Sequence, residues 1–189
     1  MGIERDAAWY DDVYREGGRY VGDPDESPWA HLHRWAAARV GKRETVLDLG
    51  CGVGHLAARL RDRGIKGYVG VDFSAEAVAR ARTSVPGYTF RVGDIRRPRR
   101  WERPGNVVVL CEVLEHVTYD MRILRALQPG TRVLATVPSY DSAGHVRHFA
   151  TVAAVSARYE RAVRLESVTR LGRCYGFEGV ALGRHRDAS

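Results

Sequence analysis

The sequence predicts an α/β fold: a three-layer sandwich around a mostly parallel seven-stranded sheet, completed by a C-terminal antiparallel hairpin. Three observations lead there. Val46, Leu47 and Leu49 form a short apolar run that passes directly into glycines at 50, 52 and 54 and then into helix-like Leu56–Leu60, which reads as strand, turn and helix. Asn106 to Cys111 is almost wholly apolar, as a strand covered on both faces must be. The tail, Ala162–Leu171 and Phe177–Leu182 around Gly172 to Gly176, reads as two strands of a closing hairpin.

Taken in order, residues 4–22 place Trp9, Tyr10 and Tyr14 at helical spacing before Gly17-Gly18. Asp23 to Pro28 is turn-rich, with Ser27 a good N-cap and Pro28 a good first residue for a helix from Trp29 to Val40, stopped by Gly41. After the glycine turn and its helix, Tyr68–Asp72 is a second strand, Ser74–Arg82 a Ser-capped helix and Tyr88–Val92 a third strand. A helix closing at Leu124–Leu127 follows the fourth strand, and Thr131–Val137 gives a fifth. A loop from Pro138 runs through His148 to a last short helix, Thr151–Tyr159. Residues 1–189 read as one domain, of which 1–27 form an N-terminal lid and linker.

Apolar content of 44% and charged content of 28% are ordinary for a globular chain. No apolar run reaches the ~20 residues needed to span a bilayer, so no membrane partner is expected. The amino terminus lacks the apolar core of a secretion signal, and Cys51, Cys111 and Cys174 show no C-x-x-C spacing; the expected address is the cytoplasm. The net charge of +7 is almost all arginine, lysine occurring only at Lys42 and Lys66. Its densest cluster, Arg91, Arg96, Arg97, Arg99, Arg100 and Arg103 with Trp101, reads as a solvated loop after the third strand rather than a polyanion footprint.

Glycines at alternate positions let the backbone adopt positive φ and let a ligand approach the chain. Gly52-Val-Gly54-His-Leu-Ala57 satisfies the looser dinucleotide fingerprint, so an NAD site has to be weighed. Asp48, read as lying at the mouth of the turn, argues against a pyrophosphate and suits a cation. The motif Asp48-Leu-Gly50-Cys51-Gly52-Val-Gly54 resembles the first motif of the class I S-adenosylmethionine-dependent methyltransferases, whose fold is Rossmann-like. Asp72 falls 22 residues after Gly50, where an acid grips ribose hydroxyls in nucleotide-binding βαβ units. The resemblance further implies Phe73 beside the adenine, Gly93-Asp94-Ile95 as a clamp on it, Cys111 in the cofactor wall, and Tyr10 and Tyr14 lining a lid.

Glu112-Val-Leu-Glu115-His116 follows the fourth strand. On a helix these three polar side chains share a face, and two carboxylates with an imidazole so close call for a cation. The motif resembles that of the ubiquinone-pathway O-methyltransferases and of the enzymes that 2′-O-methylate the 3′ end of small RNAs, in which it holds a divalent metal. That implies Glu112, Glu115, His116 and a later histidine as ligands, His145 first and His148 second. Such a mixed set suits Mn²⁺, Fe²⁺ or Zn²⁺ better than Mg²⁺. Many small-molecule methyltransferases instead carry a similar L-E-H without metal, in which case His116, beside Glu115, orients substrate or acts as general base. The expected function is methyl transfer to an oxygen, less readily a nitrogen, of a small-molecule acceptor. The alternatives are RNA ribose 2′-O-methylation, which the arginine surface and the His145 spacing keep open, and a non-catalytic cofactor-binding domain.

Overall fold

The computed structural model describes residues 2–97 and 105–183. Arg99, Arg100, Trp101 and Arg103 of the basic cluster lie outside the described residues. Helix α1 (Ala7–Glu16) and a single 3₁₀ turn (Gly18–Tyr20) precede α2 (Ala30–Arg39). The core then alternates as β1 (Thr45–Leu49), α3 (His55–Asp62), β2 (Gly67–Asp72), α4 (Ala75–Ser84), β3 (Thr89–Val92), β4 (Val107–Cys111), α5 (Asp120–Arg125) and β5 (Arg132–Pro138). It closes with α6 (Val152–Tyr159), β6 (Val163–Leu171) and β7 (Cys174–Ala181).

The seven strands form one sheet in the order β3-β2-β1-β4-β5-β7-β6. β1 pairs in parallel with β2 and β4, and β6 and β7 form the predicted antiparallel hairpin, which joins the sheet through β7 antiparallel to β5. Alternation along β1 divides the core. Val46 faces a cluster with Trp35, Leu56, Leu60, Val78 and Phe90, from α2, α3, α4 and β3. Leu47 and Leu49 face the opposite cluster with Ile123, Val155, Tyr159 and Phe177. These are the three layers. Among the described residues no helix is long and apolar enough to cross a membrane.

Most boundaries differ from the sequence reading by one to three residues, and two of the shifts have a visible cause. Ser27 does not cap α2. Its Oγ accepts from Trp29 N–H at 3.3 Å within a turn, and the helix starts two residues later, with Trp29 at the cap position. The second hairpin strand starts at Cys174 rather than Phe177, because Arg173 and Gly172, with φ +61°, suffice to make the turn.

Candidate active site

The carboxyl ends of β1, β2 and β4, the loop after β5 and the N-terminal segment enclose a cavity of about 570 Å³, within the usual size range of small-molecule sites. At one end lies the glycine turn. Gly50 has φ +82°, and a Cβ there would meet a Val113 methyl at 2.4 Å, so this position admits no side chain. Gly52 has φ +52° and faces the Tyr14 hydroxyl. The Asp72 carboxylate accepts from Gly52 N–H at 2.8 Å and from Ser74 N–H at 2.9 Å, thereby tying the turn to the start of α4. Tyr10, Tyr14, Phe73, Cys51, Ile95 and Cys111 line the same cavity, with the rings of Tyr10 and Phe73 5.2 Å apart.

Asp48 and Asp94 do not sit as read from the sequence. Asp48, 2% exposed, is not part of the cavity wall; alternation along β1 sends it with Val46 into the helix layer, where it accepts from Tyr68 O–H at 2.7 Å. Asp94 does line the cavity, but Arg96 grips both its oxygens at 2.8 and 2.9 Å and extends to Glu4 at 2.7 Å. Burial pushes the Asp94 carboxyl up, and the Arg96 bonds outweigh it and hold it below the usual range. Gly54, with φ +87°, opens α3 and packs on Ala81.

At the other end the Glu112–His116 segment is not a helix. Glu112 has φ +55°, an outlying backbone for a side-chain-bearing residue, and His116 N–H closes a tight turn onto Val113 O at 3.0 Å. Arg147 is the physical reason. Its guanidinium donates to the carbonyls of Leu114, Val117 (2.6 Å) and Thr118 (3.0 Å), which a continuing helix would direct to its own amides. Arg147 is anchored by Asp120, 1% exposed, which also receives two 2.7 Å bonds from Arg158. Replacing Arg147 with methionine is expected to destabilise the protein by ~1–3 kcal/mol through these abandoned carbonyls, measured by urea denaturation; an unchanged midpoint contradicts the clamp.

The turn separates the two glutamates. Glu112 accepts from Thr136 O–H at 3.1 Å and contacts Cys174 Sγ at 3.8 Å, so it leaves the expected ligand set. Glu115 is 0% exposed with neither carboxyl oxygen hydrogen-bonded. Its oxygen lies 3.7 Å from His116 Nε2, and Glu115, His116 and His145 offer ligand atoms within 4.8 Å of one another. His148 is half-exposed, 4.0 Å from Asp141, and is not in this group. Both imidazoles of the group are oriented from behind: His116 Nδ1 meets Gly144 O at 2.9 Å and His145 Nδ1 meets Tyr140 O at 3.1 Å. A carbonyl only accepts, so each Nδ1 carries the proton and each Nε2 keeps its lone pair. Burial lowers His116 to about 4 and lowers His145, keeping both neutral. Burial, then the neighbouring Glu112, raises Glu115 well above the usual carboxylate range. Residues not anticipated from the sequence also line the cavity, notably His33, Tyr140 and Arg173.

These shifts have a stability consequence. Burial raises Asp48 to about 7 and Asp72 to about 6, and burial lowers His33 to about 3. A raised carboxyl stabilises the fold below its unfolded value of ~4 and loses that contribution as pH rises through the folded value; a lowered histidine loses its contribution as pH falls below ~6.5. The two oppose each other in the acid range, and only the carboxyls act above it. The Tm of the ligand-free protein is therefore expected to fall between pH ~6.5 and ~8, with Asp48→Asn flattening the fall; a Tm rising over that interval contradicts the burial account.

The residues fit an adenosyl cofactor at the glycine end: a side-chain-free turn, the Asp72 carboxylate and aromatic walls enclose one cavity. Comparisons with known proteins agree. Residues 46–136 match a family described as a methyltransferase domain. The trans-aconitate 2-methyltransferase of Azoarcus sp. is 31% identical over 135 residues, covering 67% of this chain and 52% of the relative. The chain thus spans about half the length of the curated relatives it matches, 52% and 41% for two of them. Among solved structures, a putative methyltransferase of Haloferax volcanii, in complex with a methyltransferase activator, superposes with TM-score 0.71 at 20% identity, covering 96% of this chain and 100% of that one. Magnesium protoporphyrin IX methyltransferase from Synechocystis, with bound S-adenosylhomocysteine, gives 0.69 at 16% identity over 93% and 97%. Residues 46–136 are thus similar to a methyltransferase domain, on the Rossmann-like fold of the class I, S-adenosylmethionine-dependent methyltransferases.

Proposed function

We propose that the protein transfers the methyl group of S-adenosylmethionine to an oxygen of a small-molecule acceptor bound at the His116 end of the cavity. The observation that carries this is the neutral His116 imidazole, its Nδ1 held by Gly144 O and its Nε2 free, in the same cavity as the glycine turn and Asp72. The cofactor supplies an electrophilic methyl on positively charged sulfur; its transfer breaks one C–S bond, forms one C–O bond and releases the acceptor's proton. The protein's part is largely positioning. Asp72 and the glycine turn hold the nucleoside, while Tyr10, Tyr14 and Phe73 wall the cavity from water. His116 Nε2 orients the acceptor hydroxyl and receives its proton. A relative named for trans-aconitate methylation supports a small acceptor.

The test is transfer of labelled methyl from S-adenosylmethionine to a panel of small acids and phenols, with total RNA in parallel. Label in small molecules, indifferent to salt, is expected. Label in RNA that falls steeply with salt would move the acceptor to nucleic acid, and bound cofactor without transfer to either would leave a non-catalytic domain.

Glu115 favours a second reading of the acceptor end, in which His116 Nε2 is a metal ligand instead of the proton acceptor. A fully buried carboxylate with two unpartnered oxygens beside two oriented Nε2 lone pairs fits a divalent cation of the Mn²⁺, Fe²⁺ or Zn²⁺ kind, held by Glu115, His116 and His145 without Glu112. Such an ion would acidify an acceptor hydroxyl. Glu115→Gln is expected to weaken Mn²⁺ or Zn²⁺ binding at least ~10-fold by calorimetry while leaving S-adenosylhomocysteine affinity unchanged; equal metal affinity in the variant removes the ion and leaves His116 acting alone.

A further inference from the structure

Beside the loop after β5, the cavity is lined by a cation held in place by main-chain bonds and a ring contact, Arg173. Arg173 sits at the turn between β6 and β7, and its main chain is fixed to the loop after β5: Ser139 N–H and Ser139 O–H both donate to Arg173 O, at 2.9 and 2.8 Å. Its guanidinium lies over the Tyr140 ring, 4.3 Å from the centroid. Stacking takes one face of the plane and leaves the N–H edges available. Among the described residues, no carboxylate lies within ion-pairing distance of Arg173.

The acids that share the cavity have other partners. Glu4 and Asp94 hold Arg96, Asp72 takes two backbone N–H groups, and Glu112 turns to Thr136 and Cys174. Of the other arginines that line the cavity, Arg96 is neutralised by Glu4 and Asp94, while Arg5 lies over Trp9 and Arg19 over Tyr20 and Trp29, away from the loop after β5 that carries Tyr140.

We infer that Arg173, braced by Tyr140, is the anchor for an anionic group of the acceptor, and that this group is a carboxylate. The inference rests on the methyl-transfer reading above and narrows its substrate to small carboxylic acids. The guanidinium fork matches two carboxylate oxygens, and such charge-assisted pairs are the stronger hydrogen bonds. Asp141 and Glu112 also line the cavity, so a singly charged carboxylate is tolerated where a phosphate dianion would meet more repulsion.

The experiment has a binding arm and a turnover arm. In the first, wild type with and without S-adenosylhomocysteine is titrated calorimetrically with small mono-, di- and tricarboxylic acids, with their fully esterified forms and with inorganic phosphate. In the second, labelled methyl transfer to any acid that binds is measured for wild type, Arg173→Lys and Arg173→Met. The expected result is an acid that binds at least ~10-fold tighter than its ester and than phosphate. Arg173→Met should raise its KM by ~10–100-fold with kcat changed far less, and Arg173→Lys should recover part of the loss. Esters binding as well as acids, phosphate binding as tightly, or Arg173→Met binding the acids as wild type does would each overturn the assignment. Failure of S-adenosylhomocysteine to bind would instead refute the methyltransferase reading, while the acid titration without it still judges Arg173.

Discussion

His116→Ala is expected to lower kcat for methyl transfer by roughly 10²–10⁴-fold while S-adenosylhomocysteine still binds with near-native affinity. The separation follows from the geometry. His116 touches the loop after β5 through Gly144 and lies 4.9 Å, ring to ring, from His145, whereas the glycine turn and Asp72 are held by bonds that do not involve it. Its neutral imidazole combines a fixed tautomer with a place on the cavity wall, and it is half-buried where His145 is buried. His116→Gln keeps a hydrogen-bonding side chain and is expected to regain little, since an amide cannot take up a proton. Rates and calorimetric affinities for the two variants check this. Wild-type turnover in a folded His116→Ala protein would remove His116 from the reaction.

The second large effect is expected at Asp72. Its two oxygens accept from Gly52 and Ser74 N–H groups in a buried setting, so Asp72→Ala leaves two amides without a partner, at ~1–3 kcal/mol each. The glycine turn then loses the bond that sets its shape, and S-adenosylhomocysteine affinity is expected to fall at least ~100-fold. Asp72→Asn, which keeps acceptor capacity on one atom, should lose less of both. Urea denaturation and calorimetry report the two quantities separately. A destabilised variant with full cofactor affinity would show that Asp72 only supports the turn.

The fold was legible because it depends on short-range pattern. Alternation at Val46–Leu49, the apolar run of β4 and the glycines between β1 and α3 are local signals, and each led to the right element. The placement of Asp72 at the end of β2, beside the turn, was legible for the same reason, since a βαβ unit fixes its distance from the turn. What escaped was set by residues far away in sequence. Nothing within Glu112–His116 announces a turn rather than a helix; Arg147, about thirty residues on, captures its carbonyls. That capture turns Glu112 toward Thr136 and gathers Glu115, His116 and His145. Arg173 reaches the cavity only because β7 folds back beside β5, and its pairing with Ser139 and Tyr140 has no sequence signature. Asp48 is a different case: the strand periodicity that predicted β1 also places its side chain among the helices, and the glycine motif had drawn it to the mouth of the turn instead.

The burial of Asp48 shifts the weight of the cofactor assignment. With that carboxylate bonded to Tyr68, the case for a sulfonium nucleoside over a dinucleotide rests on the place of Asp72 and the rings of Tyr10, Tyr14 and Phe73 in the cavity, and on the match of residues 46–136 to a methyltransferase domain. The most direct measurement is calorimetric titration of the purified wild-type chain with S-adenosylhomocysteine and, separately, with NAD. Saturable binding of the first, lost in Asp72→Ala, with no heat from the second is the expected result. Binding of NAD, or an absence of any S-adenosylhomocysteine signal from folded protein, would contradict it.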